Sequence, residues 1–216
     1  MTSAGPSNPL PPYWDVDWDR DRESWPEVRR SIALGALEAH QWLREQASQQ
    51  TLDLECVQHL HRMMFQRLFP RGAGRIRGPA PAFLPYESEF GRYKGTHYLS
   101  VPVECAVLFT TVTRMVQDLD RLFGEMSSSM HHDEVISAAA YTHCELVRIH
   151  PFLDGNGRTA RMCITYFARR YGLQSLTYSR PGGEYLQAIA TWLQIQKIEH
   201  FVDYLHVPPG QQTGSA

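Results

Sequence analysis

The twelve residues His150-Pro-Phe-Leu-Asp-Gly-Asn-Gly-Arg-Thr-Ala-Arg161 constrain this chain more than any other stretch. Pro151 disfavours helical geometry at His150, and Asn156-Gly157 is a turn signal. A helix arriving from the N-terminal side therefore stops here, and a new one starts near Arg158. Both flanks carry an apolar stripe at helical spacing: Ile136, Ala140, His143 and Val147 before the loop, and Ala160, Ile164, Phe167 and Tyr171 after it, up to Gly172 as the expected C-cap. A polar loop held between two helices with buried faces is a rigid platform.

The loop also concentrates chemistry. Gly155 and Gly157 can take positive φ, so successive backbone N–H groups can converge on one phosphate at the N-terminus of the following helix. Asn156 tolerates the left-handed region and adds a side-chain amide. Arg158 and Arg161 share a helical face at the end where the helix dipole disfavours cations by about 0.3–1 kcal/mol. A broken local rule of this kind marks a site, and two forked guanidiniums suit a polyanion. Asp154 offers a hard oxygen ligand of the kind Mg²⁺ takes beside substrate phosphates. His150, with an unperturbed pKa of about 6.5, can take a proton from a hydroxyl near neutral pH. Base, metal ligand, phosphate nest and arginine pair together point to phosphoryl or nucleotidyl transfer, where catalysis is mostly positioning and charge stabilisation.

His150 through Arg161 resembles the signature of the Fic (filamentation induced by cAMP) domain family, His-Pro-Phe-x-(Asp/Glu)-Gly-Asn-Gly-Arg-x-x-Arg, with every fixed position matched. The resemblance implies an all-α core with a small β-hairpin flap. It also implies transfer of AMP from ATP to a Ser, Thr or Tyr hydroxyl of a target protein, with release of pyrophosphate. By position, it makes His150 the general base and Asp154 the Mg²⁺ ligand. Gly155, Asn156 and Gly157 become the phosphate nest, and Arg158 and Arg161 the β/γ-phosphate ligands. Phe152 anchors the loop by burial. Gly157 bears on the reaction, because the related Doc toxins carry a lysine there and resemble kinases. Two other readings stay open: a nucleotide-binding regulatory module that transfers nothing, and a transferase using another nucleotide donor.

The remaining chain fits one globular domain over 27–207, between an N-terminal arm, 1–26, and a disordered tail, 208–216. The 216 residues are 43% hydrophobic and 20% charged, enough for one sizeable core. A net charge of −2 makes no electrostatic case for nucleic acid or an anionic membrane. Cys56, Cys105, Cys144 and Cys163 lack paired spacing and read as reduced, buried thiols. The sequence shows neither a membrane-spanning apolar run nor a signal pattern, so the expected compartment is cytoplasmic, with export that leaves no signal still open. In the arm, Tyr13, Trp14, Trp18 and Trp25 interleave with aspartates and are expected to pack across the domain.

Helices are expected over about 27–47, from 52 to Pro70, over 104–123, into His150, out of the motif loop, and at Leu186–Leu193 and Ile198–Leu205. His59 and His61, two apart, read as solvated or core-edge residues rather than metal ligands, and His143 as a core residue. Arg71, Arg75 and Arg77 read as a solvated basic loop, with a nucleotide or partner patch as the alternative. The Gly-, Pro- and aromatic-rich segment 71–103 suggests extended chain, and the resemblance places the target-binding flap within about 80–99, pairing by strand addition. Tyr185 is either an adenine-facing aromatic or a core tyrosine. Many Fic proteins carry a self-inhibitory glutamate in (Ser/Thr)-x-x-x-Glu-(Gly/Asn). The nearest run here, Thr51 to Cys56, ends in cysteine, which makes Glu55 a poor brake and points to a separate antitoxin chain or to no such brake.

Overall fold

The computed structural model describes residues 26–90, 93–125, 132–173 and 183–206. The readings of the aromatic arm and the C-terminal tail lie outside them. The described residues form seven helices and one short hairpin, which is the expected all-α core with a β-hairpin.

The first helix, α1 (Pro26–Gln46), places proline at its first position, where the missing N–H costs nothing. Its inward face runs through Val28, Gly35, Ala39 and Leu43, while Leu34 and Leu37 are exposed. The reason is Gly35: a Cβ there would lie 2.6 Å from the Met64 carbonyl oxygen, so this bare backbone decides which face meets α2. Helix α2 (Leu54–Phe65) is capped by Asp53, whose carboxylate accepts the Cys56 N–H at 2.8 Å. Such a cap contributes about 1 kcal/mol. The helix ends short of Pro70, and Leu68 and Phe69 enter the core from turns instead.

Helix α3 (Val101–Glu125) starts three residues before the expected Glu104, because Pro102 fits a first turn. Helix α4 (His132–Ile149) is buried nearly all round and packs against α3, α5, α6 and α7, which makes it the axis of the bundle. From its C-terminal end the motif loop leads into α5 (Asn156–Arg170), which ends in a left-handed Gly172 with φ 71°. Helices α6 (Gly183–Ile195) and α7 (Glu199–His206) close the C-terminal side. In α6 the buried residues are Tyr185, Ala188, Ile189 and Trp192, and Leu186 is exposed. The larger aromatic surfaces set the face, one residue away from the aliphatic stripe.

Between α2 and α3 lies the hairpin, β1 (Glu89–Phe90) and β2 (Tyr93–Lys94), antiparallel with Glu89 opposite Lys94 and Phe90 opposite Tyr93. It falls inside the expected 80–99 window, whose other described residues are turn and extended chain. All four cysteines are free and buried. Among the described residues no helix is long and apolar enough to cross a membrane.

Candidate active site

The site begins where α4 ends. His150 donates its N–H to Leu146 O at 3.0 Å and then takes φ 54°, the left-handed region, leaving the right-handed helix that the following proline disfavours. Its Nδ1 lies 3.3 Å from Val147 O, which selects the tautomer with hydrogen on Nδ1 and makes Nε2 the basic nitrogen. Burial, with a smaller contribution from the Arg77 charge, lowers its pKa to about 4. His150 is therefore neutral at pH 7, the state a general base requires.

Phe152 is fully buried, as its apolar character implies, and stacks on His61 with ring centroids 3.9 Å apart. Asn156, at 1% exposure, uses its side chain as a clasp: Oδ1 accepts Phe152 N–H at 2.8 Å and Nδ2 donates to Phe152 O at 2.9 Å. Its side-chain amide is thus committed to the loop's own backbone, and what Asn156 can offer an anion is its main-chain N–H in the first turn of α5. Gly155 has φ 76°, and a Cβ there would collide with the Phe65 ring. It needs glycine for both conformation and space.

Gly157 differs from the expectation. Helix α5 starts at Asn156 rather than near Arg158, so Gly157 is already helical and has no positive φ. A Cβ on it would meet Arg161 Nη1 at 3.7 Å and the Tyr185 hydroxyl at 3.9 Å, which are ordinary contacts. Its contribution is open access to the helix's leading amides. No side chain caps α5, no acidic residue stands in its first turn, and Arg158 and Arg161 lie in its first turns. Arg158 also lies over the Phe65 ring, 5.3 Å from its centroid. Asp154, half-buried, accepts the Gly155 N–H on Oδ1 at 2.5 Å.

Two residues that hold this loop depart from the expectation. His61 is neither solvated nor at the core edge: it is fully buried and spans two loops. Gly74 N–H donates to its Nδ1 at 2.8 Å, so Nε2 carries the proton and donates to Asp154 O at 2.9 Å. Burial lowers its pKa to about 3, which keeps it neutral. Arg77 is not part of a solvated basic loop. It is fully buried, with Nε donating to His150 O at 2.8 Å, Nη1 to Tyr86 O at 3.0 Å, and Nη2 to Thr96 O at 2.9 Å and Ile149 O at 3.1 Å. Acceptors 72 and 73 residues away leave no trace in local sequence. For His61 a faint signal existed, since Val57, Leu60, His61 and Met64 share one helical face.

His143 is the core residue expected, stacked on Phe201 at 4.6 Å and lowered to a pKa of about 3 by burial. Tyr185 is also a core tyrosine, 7% exposed, its hydroxyl 3.3 Å from His143 Nε2. Glu55 is exposed in the first turn of α2. That helix touches the loop through His61 and Phe65, about 9 and 15 Å further along its axis, so Glu55 stands at the far end from the loop.

His150 thus closes α4, and six residues later the uncapped N-terminus of α5 opens with Asn156, followed by Arg158 and Arg161. Residues 51–168 match the model of the Fic/DOC family. The chain belongs to the Fic/DOC family. It is 39% identical over 80 residues to the protein adenylyltransferase Fic of Drosophila persimilis, a match covering 37% of this chain and 14% of that protein. It is 30% identical over 121 residues to the protein of the same name from Drosophila virilis, covering 56% and 21%. The matched regions thus span about a seventh to a fifth of these relatives' length. Among solved structures, the chain resembles BepC, a VirB-translocated effector of Bartonella tribocorum with bound AMPPNP, at TM-score 0.62 and 17% identity over 85% of this chain and 88% of that one. It also resembles a Fic-domain-containing signalling protein of Bacteroides thetaiotaomicron, at TM-score 0.59 and 19% identity over 79% and 65%. At these identities the structural likeness speaks to the fold.

Proposed function

We propose that this chain transfers AMP from ATP to a Ser, Thr or Tyr hydroxyl of a target protein. The target oxygen attacks the α-phosphorus, and the bond from that phosphorus to the bridging oxygen breaks. Pyrophosphate leaves, and the hydroxyl proton passes to His150 Nε2. The observation that carries this reading is the pairing of a half-buried, neutral His150 with the uncapped N-terminus of α5 and its two arginines. A neutral imidazole can accept the proton, and the leading amides of α5 with Arg158 and Arg161 can hold the polyphosphate and its growing charge.

Asp154 would hold Mg²⁺. A single half-buried carboxylate suits an ion that takes one or two protein carboxylates and completes its shell with phosphate oxygens and water. When bound, the ion neutralises phosphate charge. The 80–99 segment would lay the target against the site through the β1–β2 hairpin by strand addition, where main-chain bonds supply affinity with little side-chain code. Restraint would come from a separate antitoxin chain or be absent. The relatives named adenylyltransferase support AMP as the group moved. The phosphate nest itself reads no base, so another nucleotide donor is the second reading.

Incubation of the protein and of His150→Ala with lysate, Mg²⁺ and labelled ATP tests the proposal. Label on protein with the wild type and at least about a hundredfold less with the variant is expected. Equal labelling by both, or none by either, contradicts it. A competition panel of nucleotides separates ATP from other donors.

A further inference from the structure

Arg77 is the largest fully buried side chain of the described residues. A lone guanidinium out of water is costly, and it persists where its donors are satisfied by well-placed acceptors. Its four hydrogen-bond acceptors are main-chain carbonyls, and they belong to two parts of the molecule. Ile149 O and His150 O lie at the C-terminal end of α4, the negative end of that helix dipole. Tyr86 O and Thr96 O lie on the two arms of the hairpin segment, one before β1 and one after β2. One planar fork thus ties both arms to the residue that carries the base.

The surrounding bonds repeat the same junction. Arg77 N–H donates to Pro151 O at 2.7 Å, and Thr96 N–H donates to Ile149 O at 3.2 Å. Thr96 Oγ1 donates to Glu104 of α3 at 3.1 Å, and Glu104 in turn pairs with Arg148 of α4 at 2.7 Å. Glu87, half exposed, lies 3.9 Å from Arg77 Nη1. The approach is so close that a Cβ on Gly95 would stand 2.8 Å from His150 Cβ and 2.9 Å from Arg77 Nη2. The His150 carbonyl held by Arg77 follows directly on the strained φ of 54°, so the same bond fixes the direction of the imidazole.

We propose that Arg77 is a positioning residue that sets the separation between the hairpin and the His150 imidazole, with Gly95 as the bare backbone that lets the two approach. The inference rests on the AMP-transfer reading for its consequence, since the hairpin is where the acceptor hydroxyl is presented. It assigns Arg77 no contact with nucleotide: its bonds run to the α4 end of the loop, while the phosphate-facing amides belong to α5. Lysine cannot replace it, because an ammonium is a point charge without the planar fork.

The test compares the full-length wild type with Arg77→Lys and Gly95→Ala in three measurements. These are amide hydrogen exchange at Thr96, the dissociation constant for ATP with Mg²⁺, and transfer of labelled AMP to lysate protein. Both variants are expected to speed Thr96 exchange at least about tenfold. They should leave the nucleotide dissociation constant within about threefold and lower transfer about a hundredfold, the usual consequence of displacing a reacting group by about 1 Å. Unchanged exchange, or loss of nucleotide affinity in parallel with transfer, overturns the proposal. So does loss of the cooperative thermal transition in both variants, which would make Arg77 a residue of stability alone. If the wild type itself moves no AMP, the AMP-transfer reading falls, and exchange and nucleotide binding still decide whether Arg77 and Gly95 hold the hairpin to α4.

Discussion

At the scale of single residues, His150 owes its expected chemistry to its surroundings rather than to its own type. Val147 O selects its tautomer, and burial with the nearby Arg77 charge holds its pKa near 4. Lowering the pKa keeps the base form dominant down to about one unit above that value, so the acid limb of the transfer rate belongs below about pH 5. Measuring kcat/KM, which reports the free enzyme, from pH 4 to 8 checks this; an acid limb centred near 6.5 contradicts it. Gly155→Ala meets two penalties, a positive φ and the Phe65 ring. It is expected to cost about 1–3 kcal/mol in chemical denaturation. Asn156→Asp keeps an acceptor for Phe152 N–H but sets a carboxylate oxygen against Phe152 O, in a site 1% exposed. A loss of about 2–4 kcal/mol is expected, against little change if the side chain faced solvent.

At the scale of elements, most of the helices were legible because apolar spacing of three and four residues survives in the sequence of α3, α4, α5 and α7. The loop's stop and restart were legible from Pro151 and the glycines. What was not legible depends on neighbours. Which face of α1 turns inward is decided by Gly35 against Met64 O, and that of α6 by Tyr185 and Trp192. Gly157 reads as a turn glycine until α5 is seen to start before it. His61 and Arg77 reach partners on segments distant in sequence, which no local pattern records. Two fully buried histidines, one in each, also give α2 and α4 a shared vulnerability. His61 and His143 are fully buried with pKa values lowered to about 3. The unfolded chain binds their protons at about 6.5 and the folded chain does not. Stability is therefore complete above about pH 6.5 and falls as pH drops toward 3, by about 1.4 kcal/mol per pH unit for each histidine. Urea denaturation at pH 7 and pH 5 reads this slope, and His143→Phe, which stacks without titrating, should reduce it. An unchanged slope contradicts the assignment of neutral burial.

At the scale of the whole molecule, the bundle divides into a frame and a face. Helix α4 forms the frame's axis, and its end supplies His150. Helix α5 supplies an uncapped N-terminus with two arginines, α2 supplies the His61 and Phe65 that shape the loop between them, and the hairpin stands beside His150, tied in by Arg77. The frame joins segments from both halves of the chain, so the site exists once the bundle has closed. The central claim is that this face moves the α-phosphoryl end of ATP, with its adenosine, onto protein. Two parallel incubations with lysate and Mg²⁺, one with ATP labelled at the α-phosphate and one with ATP labelled at the γ-phosphate, test it most directly. Measured above the same lysate incubated with His150→Ala, added protein label from the α position alone, with the γ label recovered in pyrophosphate or its hydrolysis product phosphate, is the expected result. Added protein label from the γ position would make the chain a kinase and contradict the account.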